Sequence, residues 1–388
     1  MVYSFTVYMT TACNFKCSYC YENYKNNCQL NEESLKETLD FIFSYGENEK
    51  ISLDFLGGEP LLKKELIYQS IDYIKTYYPN RLVEYHITTN GSLLDDNFVR
   101  FMRDNKFHVR LSFDGNKLSH ELNRISLDGE SYYEKIIENI HKVKNNRLSY
   151  EVRMTIAHNT IPYMYENVRY LHEQGLSNIG MIMDVRLSLS EDLKREFKTQ
   201  IERIVDYYIQ EYDRNSKLTI DQFDGKLLFF LCDLGNCFIM CDAGVNNYKI
   251  MPNGDIYPCS FLTNNNKFII GNIYDGIDIQ KSKKIALSLF DKYDAKCKRC
   301  QIKDFCHGMK CGYMNYLNTG KINVPSDSEC YCEQIFYKAM ERIVGHYLLQ
   351  PKEKLIYTLG KHMAYIEDSK LRLSSYGLKV KAGLKNEI

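Results

Sequence analysis

Short apolar runs rich in β-branched and aromatic residues alternate with longer amphipathic stretches over roughly the first 215 residues of the chain. The short runs predict strands at 2–9, 51–55, 83–88, 108–113, 150–156 and 178–184. The longer stretches predict helices at 31–45, 61–77, 95–105, 130–144, 162–174 and 190–213, with Asn31 capping the first. A strand and a helix repeated six times predict an α/β fold in which helices cover a parallel sheet.

Polar and glycine residues follow four of these predicted strands directly. They are Thr10 and Thr11, then Gly57 and Gly58, then Asn90 and Gly91, then Asp114 and Gly115. Functional sites of parallel α/β sheets and barrels gather at the carboxyl ends of the strands. We therefore expect these loops to form one site.

Composition limits the classes of partner. The 388 residues include 50 basic and 50 acidic side chains, so bulk charge predicts neither a nucleic-acid nor a membrane partner. The N-terminal residues lack the features of a signal peptide, and no run reaches membrane-spanning length, so we expect a cytoplasmic protein. In a reducing compartment, the fourteen cysteines favour metal binding or redox chemistry over disulfides.

Three of these cysteines, Cys13, Cys17 and Cys20, lie on one short loop after the first predicted strand. A structural zinc site would need four ligands, and Cys28 is the only nearby candidate for the fourth. Three thiolates on one tight loop instead suit a four-iron cluster with one iron left open to a substrate or cofactor.

This loop resembles the CxxxCxΦC loop of radical S-adenosylmethionine (SAM) enzymes, with Tyr19 at the aromatic position. The resemblance implies a partial (β/α)6 TIM barrel, and a [4Fe-4S] cluster whose open iron binds the amino and carboxylate groups of S-adenosyl-L-methionine. An electron from the cluster then cleaves the cofactor to methionine and a 5′-deoxyadenosyl radical.

Three later segments resemble the same family in the same order: GGEP at 57–60, TTNG at 88–91, and LSFDG at 111–115 followed by LNR at 122–124. The resemblance implies cofactor contacts from Tyr19, Gly57, Gly58, Glu59, Pro60, Thr89, Asn90, Ser112, Asp114, Arg124 and Arg153. Taken singly, GGEP could be a turn before a helix, Asn90-Gly91 an ordinary turn, and the arginines surface residues. No residue is assigned as a catalytic acid or base.

Ten cysteines from Cys232 to Cys332 mark a second, metal-binding region. Together with NGDIYPC, which ends at Cys259 and predicts a hairpin through Asn253-Gly254, they resemble the SPASM domain. The resemblance implies two auxiliary [4Fe-4S] clusters. One would be bound by Cys237, Cys241, Cys259 and Cys311, and the other by Cys297, Cys300, Cys306 and Cys332.

Some of these ligands have alternatives. Four residues separate Cys306 from Cys311 where the family usually has three, which weakens the assignment of Cys311. Cys330 could replace Cys332, and Cys232 could replace Cys237. The predicted domains are a radical SAM barrel at 1–215, a SPASM domain at 216–345 and a helical, basic tail at 346–388.

The SPASM resemblance implies a peptide or protein substrate. We expect a maturase of ribosomally made peptides that forms thioether links in a cysteine-containing precursor. The alternative is an anaerobic sulfatase-maturating enzyme, which converts Cys or Ser to formylglycine. That family uses an aspartate as a base directly after the cysteine of its YPCDF segment, where this chain has Ser260, and a serine hydroxyl is a poor base.

A multi-cluster electron-transfer or oxygen-sensing protein is the non-enzyme alternative. The GGEP, TTNG and LSFDG segments argue against it, because an electron carrier has no need of a methionine-binding site. The expected partners are a flavodoxin- or ferredoxin-like electron donor and, because only twelve residues precede Cys13, a separate leader-recognition protein or the C-terminal tail.

Overall fold

The computed structural model describes residues 2–22, 28–46, 49–233, 242–288, 294–306 and 311–385. Two of the predicted ligands, Cys237 and Cys241, lie outside these residues. The chain forms two compact units: Met1–Thr155 with Ile239–Asp291, and Ile156–Phe238 with Lys292–Ile388. In the described part of the chain, every helix is too short or too polar to cross a membrane.

The strands are β1 Val2–Tyr8, β2 Phe15–Cys17, β3 Lys50–Leu56, β4 Val83–Thr89, β5 His108–Ser112, β6 Arg124–Ser126, β7 Ser149–Ile156, β8 Asn178–Met183, β9 Thr219–Ile220, β10 Cys232–Asp233, β11 Asn247–Ile250, β12 Asp255–Tyr257, β13 Gly271–Asn272, β14 Gly276–Ile277 and β15 Arg372–Leu373.

The helices are α1 Glu32–Phe43, α2 Lys64–Tyr77, α3 Asp96–Asp104, α4 Lys117–Asn123, α5 Tyr133–Asn145, α6 Met164–Glu173, α7 Glu191–Asp213, α8 Asp221–Asp224, α9 Leu227–Leu231, α10 Ile279–Ser288, α11 Ala295–Lys298, α12 Gly312–Thr319, α13 Asp327–Tyr347, α14 Lys352–Asp368 and α15 Ser375–Lys385.

In the first unit, β1, β3, β4, β5 and β7 pair in that order as a parallel sheet. Helices α1, α2, α3 and α5 fall between consecutive strands along the chain. The α/β fold class is therefore confirmed, and the sheet is typical of a radical SAM partial barrel. All six predicted strands and all six predicted helices are present within a few residues of their predicted ends.

Local sequence explains where several helices begin. Asn31 caps α1 by accepting a hydrogen bond from the Ser34 amide, as predicted. Asp95 caps α3 in the same way, and Ser190 caps α7. Each cap lies in the loop between a strand and the next helix, so a polar residue of that loop determines where the helix begins.

The predicted hairpin forms through Asn253 and Gly254, where Gly254 has a φ of 85°. It joins β11 to β12 in antiparallel pairing. β11 also pairs in parallel with β1, on the edge of β1 opposite β3. An unpaired strand edge exposes backbone donors and acceptors, and the hairpin satisfies those of β1. It thereby brings Cys259 into the first unit.

In the second unit, α13 packs against α7 through the perpendicular rings of Phe197 and Phe336, 5.8 Å apart. Helices α14 and α15 also pack against one another. The short strand β15 between them pairs with β10. The tail at 346–388, expected to be helical and basic, thus consists of two helices with a short strand between them.

Candidate active site

The backbone of the three-cysteine loop lies against the GGEP segment. The amides of Gly58 and Glu59 donate to the carbonyl oxygens of Thr10 and Ala12, both at 2.9 Å. A Cβ on Gly57 or on Gly58 would lie 2.2 Å from those same two oxygens. Both positions require glycine because any side chain would push the two backbone segments apart.

Glu59 is the buried carboxylate of this edge. It accepts hydrogen bonds from the Leu61 amide at 3.0 Å, the Thr89 hydroxyl at 2.7 Å and the Asn90 amide at 2.8 Å. Burial raises the pKa of Glu59 to about 7, although these three donors favour its charge. Pro60, also buried, begins the short 3-10 helix that follows.

Asn14, between the first two cysteines of the loop, binds the TTNG segment. Its side-chain amide donates to the Ser92 hydroxyl and its side-chain oxygen accepts from the Asn90 side chain, both at 2.9 Å. Its carbonyl accepts from the Leu127 amide at 2.9 Å. No motif or spacing in the sequence indicates Asn14, although a side chain with both donors and an acceptor inside the loop could have suggested this role.

Tyr19, Asp114 and Arg124 form a buried cluster. Two nitrogens of the Arg124 guanidinium donate to the two oxygens of Asp114, at 3.0 and 2.9 Å. The Tyr19 hydroxyl donates to the same carboxylate. The guanidinium also lies 5.3 Å from the centre of the Tyr19 ring. The cluster holds Tyr19, the aromatic residue of the cysteine loop, against the end of β5. The cofactor contacts expected of these three residues stay predictions.

Burial raises the pKa of Tyr19 well above its ordinary value. Burial alone would lower the pKa of Arg124, but Asp114 and Tyr19 more than offset this and raise it. The structure therefore holds a neutral phenol, a cation and an anion together, which is the arrangement that satisfies a buried ion pair.

The cysteine loop is also held as part of a small ribbon. β2 pairs antiparallel with β6, and Cys17 lies opposite Arg124. The Cys20 amide donates to the Cys17 carbonyl at 3.1 Å, closing a turn. The thiols of Cys13, Cys17 and Cys20 are all half-buried.

Among the described residues, no three or more His, Cys, Asp or Glu side chains are close enough together to bind a single metal ion. A four-iron cluster does not require this, because each thiolate binds a different iron. Three half-buried thiols on one anchored loop have the donor number and chemistry that such a cluster needs when one iron stays open.

Arg153 provides a second test of fit to the cofactor. It lies opposite Ser112, the last residue of β5, which is half-buried. The Arg153 Nε is buried and has no hydrogen-bond partner among the described residues, and the nearest carboxylate, that of Glu151, is 3.8 Å away. A buried donor without an acceptor is costly. It fits a ligand that brings its own acceptor, as the carboxylate of S-adenosylmethionine would.

The residues around Cys259 and Ser260 form a second polar group in the first unit. Tyr8 is buried here and Tyr21 is half-buried; burial raises the pKa of both phenols, and the Glu22 carboxylate adds to this effect. The Tyr21 ring packs edge-on against Phe261 at 5.1 Å. No motif in the sequence indicates these two tyrosines and Glu22, because only the tertiary structure brings them to Ser260.

In the second unit, Cys297 and Cys300 lie on one turn, in which the Cys300 amide donates to the Cys297 carbonyl at 3.1 Å. Lys296 binds the start of α13 through Asp327 at 3.0 Å. This contact brings Cys330 near the pair. Burial raises the pKa of Cys297 to about 11, and the nearby Cys330 thiol is the next contributor.

Cys332 has a different environment. It is buried, and its pKa is raised by burial and then by the carboxylates of Glu333 and Glu329. Glu333 accepts two hydrogen bonds from the buried Lys226, at 2.7 and 2.9 Å. Residues two positions apart on a helix are separated by about 200° around its axis. Cys330 and Cys332 therefore face different sides of α13.

The remaining cysteines are placed as follows. Cys306 is buried near the end of a short turn, and Cys311 begins α12. The buried Cys232 thiol donates to the Leu228 carbonyl at 2.8 Å. The backbone of Cys28 exchanges hydrogen bonds with Thr11, at 2.8 Å to its carbonyl and 3.0 Å from its amide.

Comparison with known protein families gives two matches. Residues 7–192 match the radical SAM superfamily. Residues 241–301 match SPASM, an iron-sulfur cluster-binding domain. The first match contains the cysteine loop and every predicted cofactor contact, and the second contains Cys259, Cys297 and Cys300. Both matches agree with the predicted cofactors, S-adenosylmethionine and [4Fe-4S] clusters.

Individual relatives agree with these matches. A cysteine-type anaerobic sulfatase-maturating enzyme of Clostridium perfringens is 24% identical over 320 residues, covering 77% of this chain and 86% of that protein. The solved structure of anSMEcpe with bound AdoMet and Cp18Cys peptide has a TM-score of 0.76 at 21% identity, covering 89% and 98% of the two chains. Streptococcus suis SuiB bound to precursor peptide SuiA has a TM-score of 0.59 at 17% identity, covering 84% and 75%.

Proposed function

Because this chain is an enzyme with a radical SAM domain and an SPASM domain, we propose that it oxidises a cysteine-containing peptide, forming a thioether link. One observation carries the radical part of this proposal: the three-cysteine loop, which follows β1, is bonded to the ends of three further parallel strands through Gly58, Asn90, Asp114 and their neighbours. The similarity to a sulfatase-maturating enzyme and to a structure with a bound precursor peptide supports a peptide substrate.

When bound, S-adenosylmethionine and the cluster supply a 5′-deoxyadenosyl radical that takes a hydrogen atom from the substrate. The residues of this chain hold and orient both groups. Cys13, Cys17 and Cys20 would bind the cluster. The Glu59 carboxylate would accept from the amino group of the cofactor, and the unpartnered Arg153 Nε would donate to its carboxylate.

Thioether formation removes two hydrogen atoms from the peptide for each link: the hydrogen atom on the carbon would pass to the 5′-deoxyadenosyl radical, the thiol would lose its proton to solvent, and the remaining electron would pass to an auxiliary [4Fe-4S] cluster. The bond that forms joins the sulfur to the carbon. Ser260 follows Cys259 where a sulfatase-maturating enzyme would have an aspartate base, and this favours thioether formation over formylglycine formation. A flavodoxin- or ferredoxin-like electron donor completes the proposed system.

Formylglycine formation is the second candidate. Two observations favour it. One is the relatedness to sulfatase-maturating enzymes. The other is the Glu22 carboxylate, which together with burial raises the pKa of Tyr8 and Tyr21, the two tyrosines near Ser260. Glu22 places a carboxylate in the region where Ser260 supplies none.

The test is anaerobic turnover followed by mass spectrometry of the peptide. A precursor peptide with several cysteines should lose two hydrogens per link, and 5′-deoxyadenosine should be released in step. Cys17→Ala should abolish that release, whereas Cys300→Ala should keep part of it. If a cysteine of the peptide instead loses its sulfur and becomes an aldehyde, the reaction is formylglycine formation, the second candidate, and not thioether formation. Absence of 5′-deoxyadenosine from the wild-type protein would exclude both.

A further inference from the structure

The parallel sheet of the first unit has one apolar face and one polar face. The ring of Phe5 on β1 lies 6.5 Å from that of Phe41 on α1, which places this helix on the apolar face. Because neighbouring strand residues alternate, Thr6 and its neighbour Asp54 on β3 point to the other face. Most half-buried residues of that face are polar: Ser52, Asp54, His86, Thr88, His108, Arg110, Ser112, Glu151 and Arg153.

A row of polar side chains crosses this face. Strand pairing places side by side, in order, Thr6, Asp54, His86, His108 and Ser149. The interior of a small parallel barrel is usually packed with branched apolar side chains. Here Asp54, His86 and His108 are half-buried polar groups instead, which suits a polar ligand better than a packed core.

Hydrogen bonding within the row leaves two atoms over. Arg110 donates to Oδ2 of Asp54 at 3.2 Å, and Nδ1 of His108 is bonded to the Ser149 hydroxyl at 2.7 Å. Oδ1 of Asp54 and Nδ1 of His86 are buried and have no hydrogen-bond partner among the described residues. Neighbouring strands are about 4.8 Å apart, so one small group can bond to both atoms. Such a ligand would remove the cost of two unpaired polar atoms.

The charges on this face are nearly balanced. Its ionic side chains form three pairs, which are Arg110 with Asp54, Lys50 with Glu84, and Arg153 with Glu151. One further cation, Lys249, binds Thr6 two strands away from His86. Beside the two unpaired atoms, Arg110 disfavours an ammonium group and the free oxygen of Asp54 disfavours a carboxylate. The row therefore fits a neutral polar group.

The protonation of the two histidines narrows the choice of group. Burial and then Arg110 lower the pKa of His86, and they lower that of His108 to about 4, so both rings are neutral at neutral pH. A neutral imidazole that carries its hydrogen on Nδ1 needs an acceptor there, and Oδ1 of Asp54 needs a donor. A primary carboxamide supplies both from separate atoms, whereas a hydroxyl must serve both from one oxygen. Asn and Gln are the side chains with this group.

We propose that Asp54 and His86 form a subsite that binds the carboxamide side chain of an Asn or Gln in the peptide substrate. The carboxamide N–H donates to Oδ1 of Asp54, and its oxygen accepts from Nδ1–H of His86. His108, in the same row, lies four residues before the predicted cofactor contact Ser112, which is about 13 Å along the strand. An extended peptide and a Gln side chain cover that distance when the Gln is about two or three residues from the modified residue. This inference rests on the proposed function and names a residue type in its substrate.

The test measures binding of a defined peptide to the reconstituted enzyme with S-adenosylmethionine and no reductant, by isothermal titration calorimetry. The probe is acetyl-Ala-Gln-Ala-Cys-Ala-Gln-Ala-amide, and the comparison peptides carry Glu, Lys, Met or Ser in place of both Gln residues. The Gln peptide should bind about tenfold more tightly than each of the others, because only its side chain pairs both atoms of the subsite.

Three variants locate the preference. His86→Leu should remove it, whereas His108→Leu, the matched control, should keep it, because Nδ1 of His108 already has Ser149 as its partner. Asp54→Asn replaces an acceptor by a group that can donate, so it should bind the Glu peptide at least as tightly as the Gln peptide. This change of preference requires a folded protein, and a merely structural role of Asp54 would not produce it.

Equal binding of all five peptides, or no binding of the Gln peptide, would overturn the proposal. So would a Ser peptide that binds as tightly as the Gln peptide, or an Asp54→Asn variant with the wild-type preference. A wild-type enzyme that prefers the Gln peptide but releases no 5′-deoxyadenosine on reduction with dithionite would instead refute the proposed function.

Discussion

The two cysteine-rich regions of this protein hold their thiols in different ways. The loop from Cys13 to Cys20 is bonded to the ends of the parallel strands by backbone amides, an asparagine and a buried ion pair. In the second unit, Cys297 and Cys300 lie on one short turn and Cys330 and Cys332 on a long helix. In the first region, the ends of the parallel strands determine where the thiols lie. In the second region, the position of each cysteine around the helix axis determines which way its thiol points.

This difference decides what a sequence pattern can reveal. All the cysteines of a short loop anchored at strand ends lie close together, so their spacing in the sequence is enough to identify them as ligands. On a helix, neighbouring cysteines point to different sides, so spacing alone leaves the choice open. The following predictions test whether the two regions differ in this way.

Breaking the buried ion pair at the first loop should have the largest effect on stability. Asp114→Ala leaves the Arg124 guanidinium buried without its carboxylate, which should lower the free energy of unfolding by about 3–5 kcal/mol. Urea unfolding under anaerobic conditions measures this.

Asp206→Ala is the matched control, because the ion pair of Asp206 with Arg342 is exposed in the second unit. Its effect should stay below about 1 kcal/mol. If the two variants had equal stability, the buried cluster would not be what anchors the loop.

The close approach of GGEP to the loop should have the next largest effect. Gly58→Ala places a Cβ against the Ala12 carbonyl, and the forced separation should lower the unfolding free energy by about 1–3 kcal/mol and weaken S-adenosylmethionine binding. Gly345→Ala, on α13 with open space around it, should be neutral or stabilising by up to about 1 kcal/mol. Binding is measured by equilibrium dialysis, and undiminished binding by Gly58→Ala would contradict the role of the backbone contact.

The third prediction concerns the second cysteine-rich region and asks whether Cys330 or Cys332 is the ligand of the cluster. We predict that Cys330 is the ligand, because it lies near Cys297 and Cys300, whereas Cys332 lies near Glu333, the partner of the buried Lys226. After anaerobic reconstitution, Cys330→Ala should bind about four fewer irons than the wild type. Cys332→Ala should keep them. The reverse result, by iron analysis and electron paramagnetic resonance, would restore Cys332, the residue expected from the sequence.

Much of the first unit could be predicted from its sequence. Apolar runs of strand length fixed β1, β3, β4, β5 and β7 because each strand is buried in the sheet. The loop residues after them were correctly placed at strand ends, because parallel strands bring their carboxyl ends together.

Pairing between distant polar residues could not be predicted. The cofactor contact of Arg124 stays a prediction, and its two hydrogen bonds with Asp114 were not expected from the sequence. Ser260 comes near Tyr8 because the hairpin of β11 and β12 pairs with β1, the strand that ends at Tyr8. These contacts depend on tertiary packing, which local propensity and spacing do not encode.

The last predicted effect is a pH dependence of stability and concerns the protonation of Glu59. Its pKa is about 7 in the folded protein against about 4.3 for an unperturbed glutamate. Between these values the folded chain holds a proton that the unfolded chain has released, so this group stabilises the fold at the lower pH and its contribution is lost as pH rises towards 7. Glu59→Gln removes that dependence. The free energy of unfolding of the wild type, relative to the variant, should therefore fall from pH 5 to pH 7, by at most about 1.4 kcal/mol per pH unit. Urea unfolding of the metal-free protein at both pH values measures the difference, with Glu353→Gln, at an exposed position on α14, as the control for loss of a carboxyl group. A difference between wild type and Glu59→Gln that stays constant with pH would mean that the donors from Leu61, Thr89 and Asn90 keep the carboxylate charged in spite of its burial. The strand-end site would then hold a fixed negative charge before any cofactor binds.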